Sequence, residues 1–170
     1  GASRRRPTRV RASMRRMART LAVGDRAPDF TLDSTQGELA LSKLLEKGSV
    51  LLVFYPGDDT PVCTKQLCDY RDNLADFEGL GVQVVAINSQ SLESHERFAR
   101  KHDLSFPLVS DPDQRVCKAY GAVGLLGMTK RALALVGPDG RVRWLKTDFP
   151  IFHRSAAELR EVIEGLDAGR

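Results

Sequence analysis

Cys63 and Cys68 lie in the stretch YPGDDTPVCTKQLCDYRD, directly after the apolar run VLLVFY at residues 50–55. The reactive form of cysteine is the thiolate, which forms where positive potential is focused on the sulfur. The run is short, β-branched and aromatic, as expected of a buried central strand. Residues 62–77 then carry Leu67, Tyr70, Leu74 and Phe77 at steps of three and four, the spacing of one helical face. Pro56, Gly57 and Pro61 fill the link, and Pro61 suits the first helical position. The unpaired N–H groups of a helix start stabilise an anion, so Cys63 is a candidate nucleophile. The third cysteine, Cys117, stands in QRVCKAYGA beside Val116 and Tyr120. It reads as a buried structural thiol.

The elements that must hold these thiols follow from the rest of the pattern. Residues 30–32 and 38–41 alternate apolar and polar around 34–37, an opening hairpin. Residues 82–88 (VQVVAIN) form a second buried strand. Residues 91–102 have helix periodicity through Leu92, Phe98 and Ala99, with Ser91 as cap. An extended piece at 106–109 precedes a short helix at 111–120 that Gly121 ends. Residues 131–136 and 141–146 flank Gly137, Pro138, Asp139 and Gly140, a hairpin signal. The last helix opens on the capping pair Ser155 and Glu158 and buries Leu159, Val162, Ile163 and Leu166. Such an order predicts an α/β fold with parallel and antiparallel strands in one sheet.

A chain of 170 residues with 42% apolar content has room for one domain with a sizeable core. No apolar stretch approaches a membrane span or a secretory signal core, so no membrane partner is expected. Three cysteines are too few for a stapled secreted scaffold, which favours a reducing, cytoplasmic setting. The formal charge is +4, but residues 1–21 hold eight arginines and no acid. Without them 18 basic side chains face 22 acidic ones, a balance of −4. With no basic face left to track phosphates, nucleic acid is not an expected partner.

We therefore divide the chain into an Arg-rich tail at 1–21, expected to be disordered, and one domain at 22–170. The tail reads as an upstream extension ahead of Met14 or Met17, or as an expression remnant beginning Gly1, Ala2, Ser3. An Arg-rich organellar presequence is the less favoured alternative.

From about Leu21 to Leu166 the chain resembles a peroxiredoxin of the bacterioferritin-comigratory or Q subgroup. The resemblance rests on VGDRAPDFTL, FYPGDDTPVCTKQLCDYRD, HERFARKHDLSFPLVSD, KAYGAV and KRALALVGPDGRV. The second is the specific one, fitting the P-x-x-x-T-x-x-C pattern with Pro56, Thr60 and Cys63. It implies a thioredoxin-like fold, a mixed central β-sheet flanked by helices with an N-terminal β-hairpin extension. It also implies thiol-dependent reduction of hydrogen peroxide and organic hydroperoxides, without metal or organic cofactor.

By that resemblance Cys63 attacks the peroxide, Thr60 and the Cys63 N–H hold it, Pro56 shields the sulfur, and Arg131 supplies permanent charge. The sulfenic acid left on Cys63 is resolved by Cys68 as an intramolecular disulfide, and thioredoxin or a similar dithiol recycles it. Two Cα atoms five apart on a helix lie about 8 to 9 Å from each other, whereas a disulfide needs under about 7 Å. The helix is therefore expected to open at residues 64–69 on oxidation.

Plainer roles compete. Cys68 could be a packing residue, Thr60 a turn hydroxyl and Arg131 a surface charge; Asp58 and Asp59 read as turn formers. His95, His102 and His153 show no ligand spacing with the cysteines, so metal is not expected. C-x4-C fits neither a C-x-x-C redox site nor a zinc ribbon. Gln66 stands where many relatives carry Glu, which weakens the expected support of Arg131, and Gly57 where many carry Lys, which removes one nearby cation; both bear on the degree of thiolate activation, not on the reaction class. The sequence points to a thiol peroxidase, monomeric or weakly dimeric. A redox sensor on the same fold is the alternative, and a metal chaperone a more remote one.

Overall fold

The structure is a computed structural model and describes residues 20–149 and 152–168. The expected tail lies outside these residues except for Thr20 and Leu21, and Leu21 packs against the core.

Seven strands form one sheet: β1 (Thr31–Ser34), β2 (Gly37–Ala40), β3 (Ser49–Phe54), β4 (Val82–Asn88), β5 (Leu108–Ser110), β6 (Arg131–Val136) and β7 (Val142–Asp148), in the order β2-β1-β5-β4-β3-β6-β7. Strand β3 pairs parallel with β4 and antiparallel with β6, so the sheet is mixed. All six residues of β3 are buried, as a continuous apolar run demands of a strand covered on both faces. The helices are α1 (Leu41–Leu45), α2 (Pro61–Asp72), α3 (Leu74–Gly79), α4 (Leu92–Lys101), α5 (Arg115–Ala119) and α6 (Ala156–Ala168).

The two-residue period of β3 divides the core. Leu51, Val53 and Tyr55 join Cys63, Leu67 and Tyr70 of α2, Phe98 of α4 and Leu159 and Ile163 of α6. Val50, Leu52 and Phe54 face the other way, toward Phe30, Leu41, Val116 and Tyr120. Alternate residues of a strand point to opposite faces, so the run VLLVFY fills two apolar layers at once.

Several predicted elements shift. The single helix expected at 62–77 is two, because Asn73 leaves helical geometry (φ −114°, ψ 18°) and its side-chain amide bonds back to the Asp69 carbonyl at 2.8 Å. Asn and Asp side chains compete with the helical ladder in this way. Leu41 opens a helix instead of ending a strand. The short helix spans only Arg115–Ala119, since Gln114 takes a left-handed φ of 59°. The extended piece lies at Leu108–Ser110. The Ser91 cap accepts the Ser94 N–H at 3.1 Å, and the Ser155 hydroxyl accepts from the Glu158 N–H at 3.1 Å. Among the described residues no helix is long and apolar enough to cross a membrane.

Candidate active site

The site forms where β3 leaves the sheet. After Tyr55 the chain turns through residues 56–60 and enters α2 with Pro61 at its first position. Proline has no N–H to waste there and its fixed φ suits the helix. Thr60 is the extended residue before the helix (φ −88°, ψ 149°), and its carbonyl accepts the Thr64 N–H at 2.9 Å. Cys63 thus sits in the first turn, where N–H groups have no partner inside the helix. The Thr60 hydroxyl does not cap α2; it donates back to the Gly57 carbonyl at 3.1 Å.

Arg131 is the first residue of β6, next to Ala132, which pairs with Phe54. That register carries its guanidinium beneath the start of α2. Nη2 lies 3.1 Å from Cys63 Sγ, and Nη1 donates to Gln66 Oε1. Gln66 Nε2 donates to the Tyr70 hydroxyl at 3.1 Å, and that hydroxyl donates to the Arg154 carbonyl at 2.7 Å. Cys63, Gln66 and Tyr70 follow one face of α2 at steps of three and four, and all are buried with Arg131. A neutral amide at 66 satisfies the guanidinium on one side and a phenol on the other, so Gln66 keeps a continuous network. His153 borders the cluster; burial pushes its imidazole down, Arg131 and Lys65 add to this, and Asp69 opposes it.

Cys68 lies one and a half turns along α2, half-buried, and all three cysteines are free thiols. Cys117 lies apart, in the opposite core layer. Burial, reinforced by the Asp111 carboxylate, pushes its thiol far above the ordinary range.

Of the expected residues, Cys63 and Arg131 are in contact, Pro56 and Thr60 mark the two ends of the loop that leads into α2, and Cys68 lies five residues beyond Cys63 on the same helix. The sequence reading passed over a second polar cluster beside this loop. Asp58 Oδ1 accepts the Tyr55 hydroxyl at 2.5 Å, while Oδ2 receives the Ser94 hydroxyl at 2.8 Å and faces His95 Nδ1 at 2.7 Å. His95 occupies the inward stripe of α4 with Phe98 and Ala99 at steps of three and four. A histidine on an apolar stripe needs buried partners, a signal that could have found the pair. Among the described residues, no group of three or more His, Cys, Asp or Glu is arranged to hold a metal ion.

Residues 23–145 match the model of the AhpC/TSA family. Peroxiredoxin Bcp of Escherichia coli (strain K12) is 37% identical over 136 residues, covering 76% of this chain and 87% of the relative. This chain belongs to the AhpC/TSA family. The chloroplastic peroxiredoxin Q of Sedum lineare is 44% identical over 99 residues, 58% of this chain and 53% of that protein. The crystal structure of peroxidoxin BcpB from Mycobacterium tuberculosis superposes with a TM-score of 0.76 at 30% identity, covering 88% of this chain and 99% of that one. Within the AhpC/TSA family the chain is a peroxiredoxin of the Bcp/Q group, with the thioredoxin-like α/β fold, and is a thiol peroxidase.

Proposed function

We propose that Cys63 is the attacking thiol of this peroxidase and Cys68 the thiol that resolves it, with hydrogen peroxide and organic hydroperoxides as substrates. The observation that carries this is the 3.1 Å contact between Arg131 Nη2 and Cys63 Sγ at the first turn of α2. A buried guanidinium stabilises negative charge on the sulfur and, as the O–O bond lengthens, on the departing oxygen. The Cys63 thiolate attacks one peroxide oxygen, the O–O pair leaves with the other oxygen, and a proton completes the alcohol or water. Sulfur is oxidised by two electrons to sulfenic acid. Cys68 then displaces water to form the disulfide, and a dithiol of the thioredoxin kind returns both thiols by exchange.

Thr60 is exposed and Pro56 half-buried in the loop that leads to Cys63, a residue only 1% exposed. We assign catalysis to a single domain at 22–170 acting in the cytoplasm as a monomer or weak homodimer.

Peroxide consumption coupled to thioredoxin, with mass spectrometry after one equivalent of peroxide, tests the assignment. Cys63→Ser abolishes consumption; Cys68→Ser gives one turnover and then stalls; the parent shows a bridge between 63 and 68. Activity retained by Cys63→Ser overturns it.

A further inference from the structure

Asp58 lies midway between Pro56 and Thr60, yet its side chain is only 3% exposed and that of His95 is fully buried. Three parts of the fold converge on it: Tyr55 from the end of β3, Ser94 and His95 from α4, and Gln90 from the turn before α4. His95 Nε2 faces the Val109 carbonyl of β5 at 3.1 Å. A carbonyl oxygen only accepts, so the Nε2 of that contact carries a proton, and Nδ1 is turned toward Asp58 Oδ2. The imidazole therefore braces Asp58 against the sheet.

The brace reaches the rim of the site through one peptide plane. The Asp58 N–H donates to Gln90 Oε1, and the carbonyl of the same peptide, that of Gly57, accepts the Thr60 hydroxyl at 3.1 Å. Gln90 is itself set by Asn88, whose Oδ1 accepts the Gln90 N–H at 2.8 Å. A Cβ on residue 57 would come within 3.2 Å of Gln90 Oε1, so Gly57 permits this close approach. Asp59 follows at φ 61°, a left-handed conformation that a non-glycine residue holds only where its surroundings enforce it. With its proton spent on Gly57, the Thr60 oxygen keeps its lone pairs for an incoming O–H.

We propose that Asp58 and His95 are positioning residues for the peroxidase reaction: together they fix the Gly57–Asp58 peptide plane and so aim the Thr60 oxygen, as an acceptor, at the peroxide proton above Cys63. The clamp acts on binding geometry and not on the sulfur. Burial pushes the Asp58 carboxyl up, but the bonds from His95, Tyr55 and Ser94 outweigh it and hold the group below the usual carboxylate range. Asparagine at 58 can keep these neighbours, its oxygen accepting from Tyr55 and its amide donating to His95 Nδ1 and to a Ser94 hydroxyl turned to accept.

The proposal rests on Cys63 as the attacking sulfur, an assignment the Cys63→Ser assay tests separately. Two rates are measured on the full chain: oxidation of Cys63 by hydrogen peroxide, by stopped flow, and alkylation of Cys63 by iodoacetamide, which needs no acceptor for an O–H. Asp58→Ala and His95→Leu are expected to slow oxidation by about 10- to 100-fold, the scale of a misplaced reacting group. Alkylation stays within about threefold, since it needs only the sulfur. Asp58→Asn keeps both rates within about threefold of the parent, because the amide can still join Tyr55 and His95 once the Ser94 hydroxyl turns to accept from it. Should Asp58→Ala not fold, His95→Leu and Asp58→Asn decide. Unchanged oxidation in the first two variants, an equal fall of both rates, or an Asp58→Asn enzyme as slow as Asp58→Ala overturns the proposal.

Discussion

Arg131 and Cys63 stand 68 positions apart in sequence and meet at 3.1 Å because β6 runs antiparallel to β3 and begins where β3 gives way to α2. The guanidinium uses two nitrogens, one on sulfur and one on Gln66. A lysine carries the same charge but no planar fork, so it cannot hold both partners in fixed directions. Arg131→Lys is therefore expected to lower the rate of Cys63 with peroxide by about tenfold or more, and Arg131→Ala by about a hundredfold or more, the scale for losing a transition-state donor. Stopped-flow oxidation measures both. Equal rates for the parent and Arg131→Lys would show that charge alone suffices.

The two cysteines share α2, and so does the tether that ties this helix to the start of α6. The Asp69 carboxylate accepts the Ala156 N–H at 2.7 Å, and the Tyr70 hydroxyl bonds the Arg154 carbonyl. Bringing Cys68 to Cys63 requires unwinding between them, which displaces Asp69 and Tyr70. After one equivalent of peroxide, amide exchange should accelerate at residues 64–69 and also at the start of α6, where Ala156 loses its acceptor. Hydrogen-exchange mass spectrometry reads both segments. Acceleration confined to α2 would mean that the tether survives oxidation.

Much of this arrangement was legible in the sequence, for physical reasons that differ by element. The apolar run of β3, the turn prolines and the helical spacing of Leu67 and Tyr70 are local signals, and they locate Cys63 at a helix start without any other information. Arg131 is different: its role depends on a strand pairing between residues 68 apart, which no local pattern encodes, and only the family resemblance singled it out. The break at Asn73 was hidden because Leu74 and Phe77 continue the apolar spacing across it. Asp58 reads as a turn former because its neighbours are turn residues, although its carboxylate is buried against His95. That partner was readable only by treating His95 as part of the apolar stripe with Phe98.

Cys117 bears on how many thiols take part. It is fully buried, its N–H donates to Asp111 Oδ2 at 2.8 Å, and burial with the Asp111 carboxylate pushes its thiol far above the ordinary range. A protonated, enclosed thiol is a poor nucleophile. In the native protein at pH 7.5 (about a unit below an ordinary thiol), iodoacetamide should label Cys68 and Cys63 but leave Cys117 unmodified until urea is added. Cys117→Ala should keep thioredoxin-coupled turnover within about twofold. Labelling of Cys117 in the folded chain would show an accessible thiolate there, and loss of turnover in Cys117→Ala would show that activity needs this thiol.

Asp58 also fixes how acid acts on the loop. Its carboxyl titrates below the ordinary range in the folded protein, despite the opposing effect of burial, because His95, Tyr55 and Ser94 bond the ionised form. The unfolded chain, with an ordinary carboxyl near pH 4, then binds a proton more readily than the folded one, so stability falls as pH drops. This contribution is complete above about pH 5, begins to disappear near pH 4 and is lost as pH falls through the folded-state value. Asp58→Asn has no such group to protonate. Urea unfolding at pH 6 and pH 3.5 should show a smaller acid-induced loss of stability in Asp58→Asn than in the parent, the difference being at most about 0.7 kcal/mol, the ceiling set by an unfolded carboxyl near pH 4. Tyr55, pushed up by burial and then by Asp58, stays a hydroxyl donor across this window. Equal acid sensitivity of the two proteins would show that other carboxylates govern the transition and that the Asp58 bonds add nothing to stability.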